Sequence, residues 1–186
     1  MNAQVIMNEK KEPLGNETTS LSKVRNLTIA GIMAALITIM TAYICHIPVG
    51  VNGGYVHFGD SLIYLAAAIL PKPYALAAAA IGGGMADLLT APMWTIATII
   101  IKMLIVIPFT NRAPKIITAR NIIAAILAYF ISGFAYFIAN YILFGSWSVL
   151  LVSMSQSLIQ AGGSAIFFIV IGLALDKAHV KRRFLE

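Results

Sequence analysis

The chain has 186 residues, of which 60% are hydrophobic and only 11% are charged. A soluble globular domain carries about 25% charged residues, so this composition excludes an ordinary soluble enzyme or binding domain. The formal net charge is +6, but the basic residues flank apolar runs, as in a membrane protein, which argues against a nucleic-acid partner. The single cysteine excludes an intrachain disulfide and a cysteine-based metal cluster.

The two ends of the chain are polar. Residues 1–22 carry several charges and lack the apolar core of a secretory signal peptide. We therefore predict a flexible cytoplasmic tail over residues 1–22, a membrane domain over 23–178 and a basic cytoplasmic tail over 179–186.

Six apolar runs lie between the two tails. A helix needs about 20 residues to cross ~30 Å of hydrocarbon, and fewer where it is short or partly buried. Pro71 and Pro73 separate the second run from the third, because proline cannot continue a helix. The runs are Arg25–Ile47, Phe58–Leu70, Tyr74–Leu89, Met93–Phe109, Asn121–Phe144 and Val149–Leu175. The predicted fold is an all-α integral membrane protein, a compact bundle of six transmembrane helices.

The basic residues predict the orientation of this bundle. Six spans place both termini on one side of the membrane. All but one of the 13 lysines and arginines fall on that side, in the tails, at Lys72 and in the loop between the fourth and fifth runs. The positive-inside rule then predicts that both termini are cytoplasmic in a multi-pass protein of the plasma membrane.

Three charged residues lie inside the apolar runs: Asp60, Asp87 and Lys102. A charge at the centre of a membrane helix costs roughly 2.5–3.5 kcal/mol on insertion scales, so it normally faces a partner or a cavity. Two simpler interpretations stay open. In one, Asp60 interacts only with the dipole of the second helix; in the other, Asp87 and Lys102 form a structural ion pair.

Other polar side chains also concentrate in the outer halves of the predicted helices, which favours a small-molecule pocket there. Glutamines one turn apart in the sixth run share a face, although they may only bond neighbouring helices. The candidate substrate-binding residues are His57, Asp60, Asp87, Trp94, Lys102, Tyr136, Asn140, Gln156 and Gln160.

Three features of the sequence carry a family resemblance: the small-residue pattern Ala30-x-x-x-Ala34, the segment Gly54–Asp60, and the run Gly82-Gly-Gly-Met-Ala-Asp87. Together with six helices in under 200 residues, they resemble the substrate-binding S components of energy-coupling factor (ECF) vitamin transporters. The resemblance covers about residues 20–180. It is strongest to the hydroxymethylpyrimidine- and pyridoxine-type subgroup.

The resemblance implies a division of labour. The S component binds a vitamin in an outer pocket capped by the loop between the first two helices, here Pro48–His57. A transmembrane coupling subunit, expected to contact Ala30 and Ala34, and two cytoplasmic ATPases then drive uptake. ATP and magnesium belong to those ATPases, since this chain has no P-loop pattern. We therefore expect no enzymatic activity, no metal and no cofactor in this chain.

The residues themselves favour a flat heteroaromatic ligand, because tyrosine and tryptophan faces stack on rings while carboxylates and amides bond amino and hydroxyl groups. Hydroxymethylpyrimidine and pyridoxine fit this description, and cobalamin, folate, pantothenate and a queuosine precursor stay open. A self-sufficient secondary transporter or channel and an intramembrane hydrolase are the alternatives from other classes. The halves of the chain show no convincing repeat, and no GxSxG-like elbow occurs.

Overall fold

The computed structural model describes residues 12–44, 46–48, 55–145 and 150–185. Most of the predicted loop Pro48–His57 and the first part of the predicted N-terminal tail lie outside these described residues. Helices dominate the described chain. They are α1 (Glu12–Ala42), α2 (Asp60–Ile69), α3 (Lys72–Thr90), α4 (Thr95–Val106), α5 (Ala119–Phe144), α6 (Leu150–Lys177) and the short α7 (Val180–Leu185).

The helix boundaries follow the proline and glycine positions. Pro71 precedes α3, a 3₁₀ turn over Pro92–Trp94 leads into α4, and Gly145 ends α5 in the left-handed conformation with φ 67°. The main departure from expectation is α1, which begins at Glu12 rather than near the apolar run at Arg25. The polar stretch from Glu12 to Val24 is thus part of the helix. After Gly15 it contains no proline or glycine that would interrupt a helix.

Two short strands join α1 to α2. The strand β1 (Ile47–Pro48) pairs antiparallel with β2 (Tyr55–Val56), in the register Ile47 to Val56 and Pro48 to Tyr55. The pairing brings the chain back toward the bundle immediately before Asp60, the first residue of α2.

The distribution of side chains is that of a protein surrounded by lipid. Large apolar residues lie on the outside, such as Ile96 and Ile142, which are 76% and 75% exposed, whereas Asp60 and Lys102 are each 1% exposed. Within the described residues three helical stretches are long and apolar enough to cross a membrane: Ser20–Ala42, Ala119–Phe144 and Met154–Lys177. These features identify a helical membrane protein, while the six-span topology stays a prediction.

The short helix α2 lies at the centre of the bundle. It has 10 residues and most of them are buried, and it packs against α1, α3, α4 and α6. Such a helix spans only ~15 Å at 1.5 Å per residue. Because protein rather than lipid surrounds α2, it need not match the thickness of the hydrocarbon layer.

Aromatic rings, one of them from α2 itself, fill the core between Asp60 and the other end of α2. The Tyr64 ring stacks on Phe109 with centroids 5.0 Å apart, and Phe168 meets both rings edge-on at 5.9 Å. All three side chains are fully buried. We call the end of the bundle beyond these rings, which holds Pro71 and Asp176, the loop end. The opposite end, which holds His57, is the site end.

Side chains bind backbone groups at the loop end. Lys72 Nζ donates to the carbonyls of Val106, Ile107 and Phe109 at 3.1, 2.7 and 2.8 Å. These carbonyls belong to the C-terminal end of α4, where helix carbonyls lack intrahelical partners and a positive charge is favourable. Lys72 therefore ties the turn between α2 and α3 to the end of α4.

A second such contact joins α6 to the loop before α5. The Asp176 carboxylate accepts the N–H groups of Ile116 and Ile117 at 2.7 and 2.9 Å. With Lys72, it makes the loop end a firmly connected face of the protein.

Replacing Lys72 by methionine tests the first of these contacts. The three carbonyls would lose a charged donor, and a hydrogen bond to a charged group contributes about 1.5–3 kcal/mol. We expect Lys72→Met to lower the midpoint of thermal unfolding in detergent by several degrees, whereas Lys23→Met, at an exposed position on α1, leaves it unchanged. Equal midpoints for the two variants would contradict this role of Lys72.

Candidate functional site

A buried ion pair lies near the centre of the membrane domain. Asp60, in the first turn of α2, accepts a hydrogen bond from Lys102 Nζ on α4 at Oδ1, over 2.6 Å. Its second oxygen, Oδ2, accepts from Gln160 Nε2 on α6 at 2.9 Å. A buried charge pair is tolerated where further hydrogen bonds satisfy its remaining groups. One carboxylate thus joins α2, α4 and α6.

Lys102 reaches Asp60 because α3 and α4 pack closely. A Cβ atom added to Gly83 of α3 would lie 2.8 Å from Lys102 Cγ and 3.3 Å from Thr98 Cγ2. The lysine stem therefore occupies the space that a side chain at position 83 would fill. The Lys102 ammonium also lies 5.7 Å from the centre of the Tyr136 ring, within the range of a cation–π interaction.

An aromatic wall lies next to the ion pair, toward the site end. The Tyr136 hydroxyl and Thr98 Oγ1 are hydrogen-bonded at 3.1 Å. The Trp94 ring meets the Tyr136 ring at a steep angle, with centroids 6.1 Å apart. The centroid of the Phe144 ring lies 6.0 Å from that of Trp94. Trp94, Thr98 and Lys102 are spaced four residues apart, so one face of the Pro92–Val106 segment carries all three.

His57 shapes the entry into α2. Its side chain is buried, and Nδ1 accepts the N–H of Gly59 at 3.0 Å. A neutral imidazole that accepts at Nδ1 carries its proton at Nε2. Gly59 lies directly against Thr41 of α1, leaving no space for a side chain. The turn before Asp60 therefore packs directly against α1.

Several buried polar atoms around this cluster have no hydrogen-bond partner among the described residues. They are Trp94 Nε1, Thr95 Oγ1, Thr41 Oγ1 and Ser132 Oγ. Ser132 precedes Tyr136 by one helical turn, and Thr95 follows Trp94 directly. Buried polar groups are normally paired, and a group left without a partner costs about 1–3 kcal/mol. The surroundings of the ion pair therefore offer unused hydrogen-bonding capacity.

Comparison with known proteins assigns the chain to a family. The family model described as "ECF-type riboflavin transporter, S component" matches residues 21–177, most of the chain. The chain belongs to this family. Its members are transport-specificity subunits rather than enzymes. A search of curated proteins finds no match.

Membership of the S-component family confirms the resemblance drawn from the sequence. The finer expectation of a hydroxymethylpyrimidine- or pyridoxine-type subgroup stays a prediction, since the matching family description names riboflavin.

The structure brings five of the predicted substrate-binding residues of this S component together. Lys102 and Gln160 each donate to Asp60, and Tyr136 and Trp94 form the wall beside them. The sequence left open which acid pairs with Lys102, and the partner in the structure is Asp60.

The other predicted residues surround these five. Asp87 is buried one turn beyond Gly83, and buried Asn140 donates from Nδ2 to the Tyr136 carbonyl at 3.0 Å. His57 holds the turn before α2, and Gln156 is half-buried one turn from Gln160. Sequence reasoning missed Thr98, although its four-residue spacing from both Trp94 and Lys102 is a signal that could have found it.

The predicted partner-binding residues lie on a different surface, away from the ion pair. Ala30 and Ala34 are buried against α3, whereas their neighbours Gly31 and Ala35 are exposed. All four line an open groove of about 580 Å³ between α1 and α3. Added atoms at Gly31 would meet nothing within 4 Å. The exposed part of this small-residue patch is therefore Gly31 and Ala35.

Breaking the ion pair tests its energetic role. Asp60→Asn or Lys102→Met alone would leave one charge buried without its counter-charge, which costs about 3–5 kcal/mol. We expect each single variant to lower the thermal midpoint in detergent strongly. The double variant should lose much less than the two single losses together, since it buries no unpaired charge. Additive losses would contradict the coupling of the two residues.

Proposed function

We propose that this chain is the substrate-binding and translocating subunit of an ATP-driven ECF transporter, and that it binds a flat heteroaromatic vitamin beside the Asp60–Lys102 ion pair. The observation that carries the proposal is this pair, buried within a membrane-embedded helical protein and bounded by Trp94 and Tyr136. Membership of the S-component family supports the transport role.

The unused polar atoms support a ligand site at this place. A purely structural ion pair would be best served by surroundings in which every polar group is satisfied. Here Trp94 Nε1 and the hydroxyls of Thr41, Thr95 and Ser132 are buried without a partner among the described residues. Trp94 Nε1 can only donate, so it requires an acceptor. A ligand carrying carbonyl or ring-nitrogen acceptors would supply one.

The aromatic wall supports a planar ligand. Trp94 and Tyr136 provide ring surfaces, and Lys102, Gln160 and Asp60 provide donors and acceptors beside this wall. Riboflavin combines a flat fused ring, carbonyl acceptors, a ring N–H donor and a chain of hydroxyls. The family description names riboflavin, so it is the first ligand to test. Hydroxymethylpyrimidine and pyridoxine, the ligands predicted from the sequence, are smaller rings with similar groups and are the second.

The charge distribution supports cytoplasmic termini. Lys72, Lys115 and Arg120 belong to the loop end, as do Lys177 and Lys181 at the end of the chain. On the positive-inside rule the loop end faces the cytoplasm. The site end then faces outward, where an uptake protein must receive its vitamin.

Asp87 provides the sharpest test of the site, because it is buried one turn from Gly83, whereas the hydrogen-bonded ion pair is formed by Asp60 and Lys102. Riboflavin binding to the purified protein can be followed by its own fluorescence, with hydroxymethylpyrimidine and pyridoxine as competitors. We expect Asp87→Asn to weaken binding by about tenfold or more, a loss of ~1.4 kcal/mol, because the carboxylate no longer accepts from the ligand.

The control for this prediction is Asp176→Asn, the same change at the loop end. It removes the charge and one of the two oxygens that accept the N–H groups of Ile116 and Ile117, so it should affect stability but not affinity. Unchanged affinity in Asp87→Asn with a lower yield would make Asp87 a structural residue. Failure of the unaltered protein to bind any of the three compounds would refute the proposed ligand class.

The groove between α1 and α3 supports docking of the coupling subunit. Its floor consists of small residues, and small residues let membrane helices approach each other closely. Ala30 and Ala34, the residues expected to contact the coupling subunit, form the buried side of the groove, while Gly31 and Ala35 form its open side. In this proposal the coupling subunit carries the two ATPases, which bind ATP and magnesium.

Enlarging one groove residue tests this docking. Ala35→Leu would fill the groove without disturbing the core, because Ala35 is exposed. We expect it to abolish co-purification of the coupling subunit and ATPases with the tagged chain from its native host, while vitamin binding is retained. The matched control is Ala174→Leu, the same change at an exposed position on α6, which should leave co-purification unchanged. Full co-purification with Ala35→Leu would place the interface elsewhere.

A further inference from the structure

The segment 57–60, which leads into α2, is docked on one face of α6. Gln160, Gly163 and Phe167 are spaced three and four residues apart and therefore share that face. Gln160 donates to Asp60, and the Phe58 ring stacks on Phe167 with centroids 5.2 Å apart and planes inclined by 24°. Between these two contacts the edge of the Phe58 ring lies against Gly163.

The Phe58 ring can occupy this position only because residue 163 is a glycine and has no side chain. A Cβ atom there would overlap Cε1 of the Phe58 ring and lie 2.6 Å from Cδ1. The ring cannot simply slide along α6, since it is stacked on Phe167. The preceding residue, Gly162, is exposed, and an added Cβ would meet nothing within 4 Å. Two adjacent glycines thus differ completely in what they accommodate.

A displacement of Phe58 would be passed on to Asp60 through the backbone. The Phe58 carbonyl accepts the N–H of Ser61 at 3.0 Å and the Ser61 hydroxyl at 2.7 Å. The Gly59 N–H is bonded to His57 Nδ1. Residues 57–61 therefore form one hydrogen-bonded unit. The unit has little room to move toward α1, because Gly59 already lies against Thr41.

We propose that Gly163 is a positioning residue for the binding site: by seating the Phe58 ring on α6 it sets where the Asp60 carboxylate meets Lys102 and Gln160. Gly163 does so without touching the ligand. Its effect on ligand affinity rests on the proposed function, whereas its effect on the geometry of residues 57–61 does not.

The first experiment compares the two glycines by titrating the full-length protein in detergent with riboflavin. Gly163→Ala should weaken binding by about tenfold, and Gly162→Ala should stay within about twofold of the unaltered protein. Phe58→Leu, which removes the overlapping ring atoms, should restore much of the affinity when combined with Gly163→Ala. Such a non-additive rescue is the signature of two residues that act through one contact.

An unchanged affinity in Gly163→Ala would overturn the inference, as would an equal loss in Gly162→Ala. A loss in Gly163→Ala that Phe58→Leu does not rescue would overturn it too. If Gly163→Ala does not fold, Phe58→Ala decides the matter. That change removes the anchor from the other side, so it should weaken binding similarly, and full affinity in this variant would refute the role of the contact.

A second measurement requires no ligand. Hydrogen exchange of the peptide covering residues 57–62 reports the hydrogen bonds of Gly59, Ser61 and Leu62. Exchange there should become faster in Gly163→Ala, remain normal in Gly162→Ala and return toward normal with Phe58→Leu, while α5 exchanges as before. Unchanged exchange in Gly163→Ala would refute the positioning role.

The exchange measurement also separates the two proposals. If the unaltered protein binds none of the three compounds, the ligand class is wrong, and local exchange alone then decides whether Gly163 positions Asp60.

Discussion

The ion pair between Asp60 and Lys102 is the constraint on which the arrangement of the bundle depends. Both groups have lost their hydration, so their attraction stabilises the fold only if the geometry is good and the remaining oxygens and protons are bonded. Gln160 satisfies the second oxygen of Asp60, and Gly83 lets the Lys102 stem pass close to α3. The relative placement of α2, α4 and α6 is therefore defined by one carboxylate. A small shift of any of these helices would leave a charge without its partner.

The ion pair also explains how a short helix inside the protein can begin with a charged residue. The helix α2 is too short to cross a membrane alone, and its burial by α1, α3, α4 and α6 allows Asp60 to begin a helix inside the protein. The positive end of the α2 dipole also favours a carboxylate at that place. The apolar outer faces of α5 and α6 then separate this polar centre from lipid. The protein accordingly encloses a small polar cluster within an apolar core and also exposes apolar side chains on its outside.

Much of this could be predicted from the sequence. The six apolar runs correspond to α1–α6, because each run is bounded by proline, glycine or charged residues that have strong local effects. Asp60 and Lys102 stood out because charges are rare in such runs. Their pairing could not be predicted, since it depends on how closely α4 packs against α3 at Gly83 and on where this places Lys102 relative to α2. The contact between Phe58 and Gly163 could not be predicted either, because residues about a hundred positions apart meet only in the folded chain. The early start of α1 at Glu12 was missed because hydropathy, not helix propensity, defined the run.

The aromatic contact among Tyr64, Phe109 and Phe168 has a consequence for the direction in which a solute can travel. These fully buried rings fill the core between the polar cluster and the loop end, and Lys72 fastens the backbone at Phe109 from the other side. Among the described residues, these packed rings lie between the site end and the loop end. In this conformation the interior is therefore closed toward the loop end. A solute could pass from the site end to the loop end only if these rings separated or if the whole chain changed its orientation.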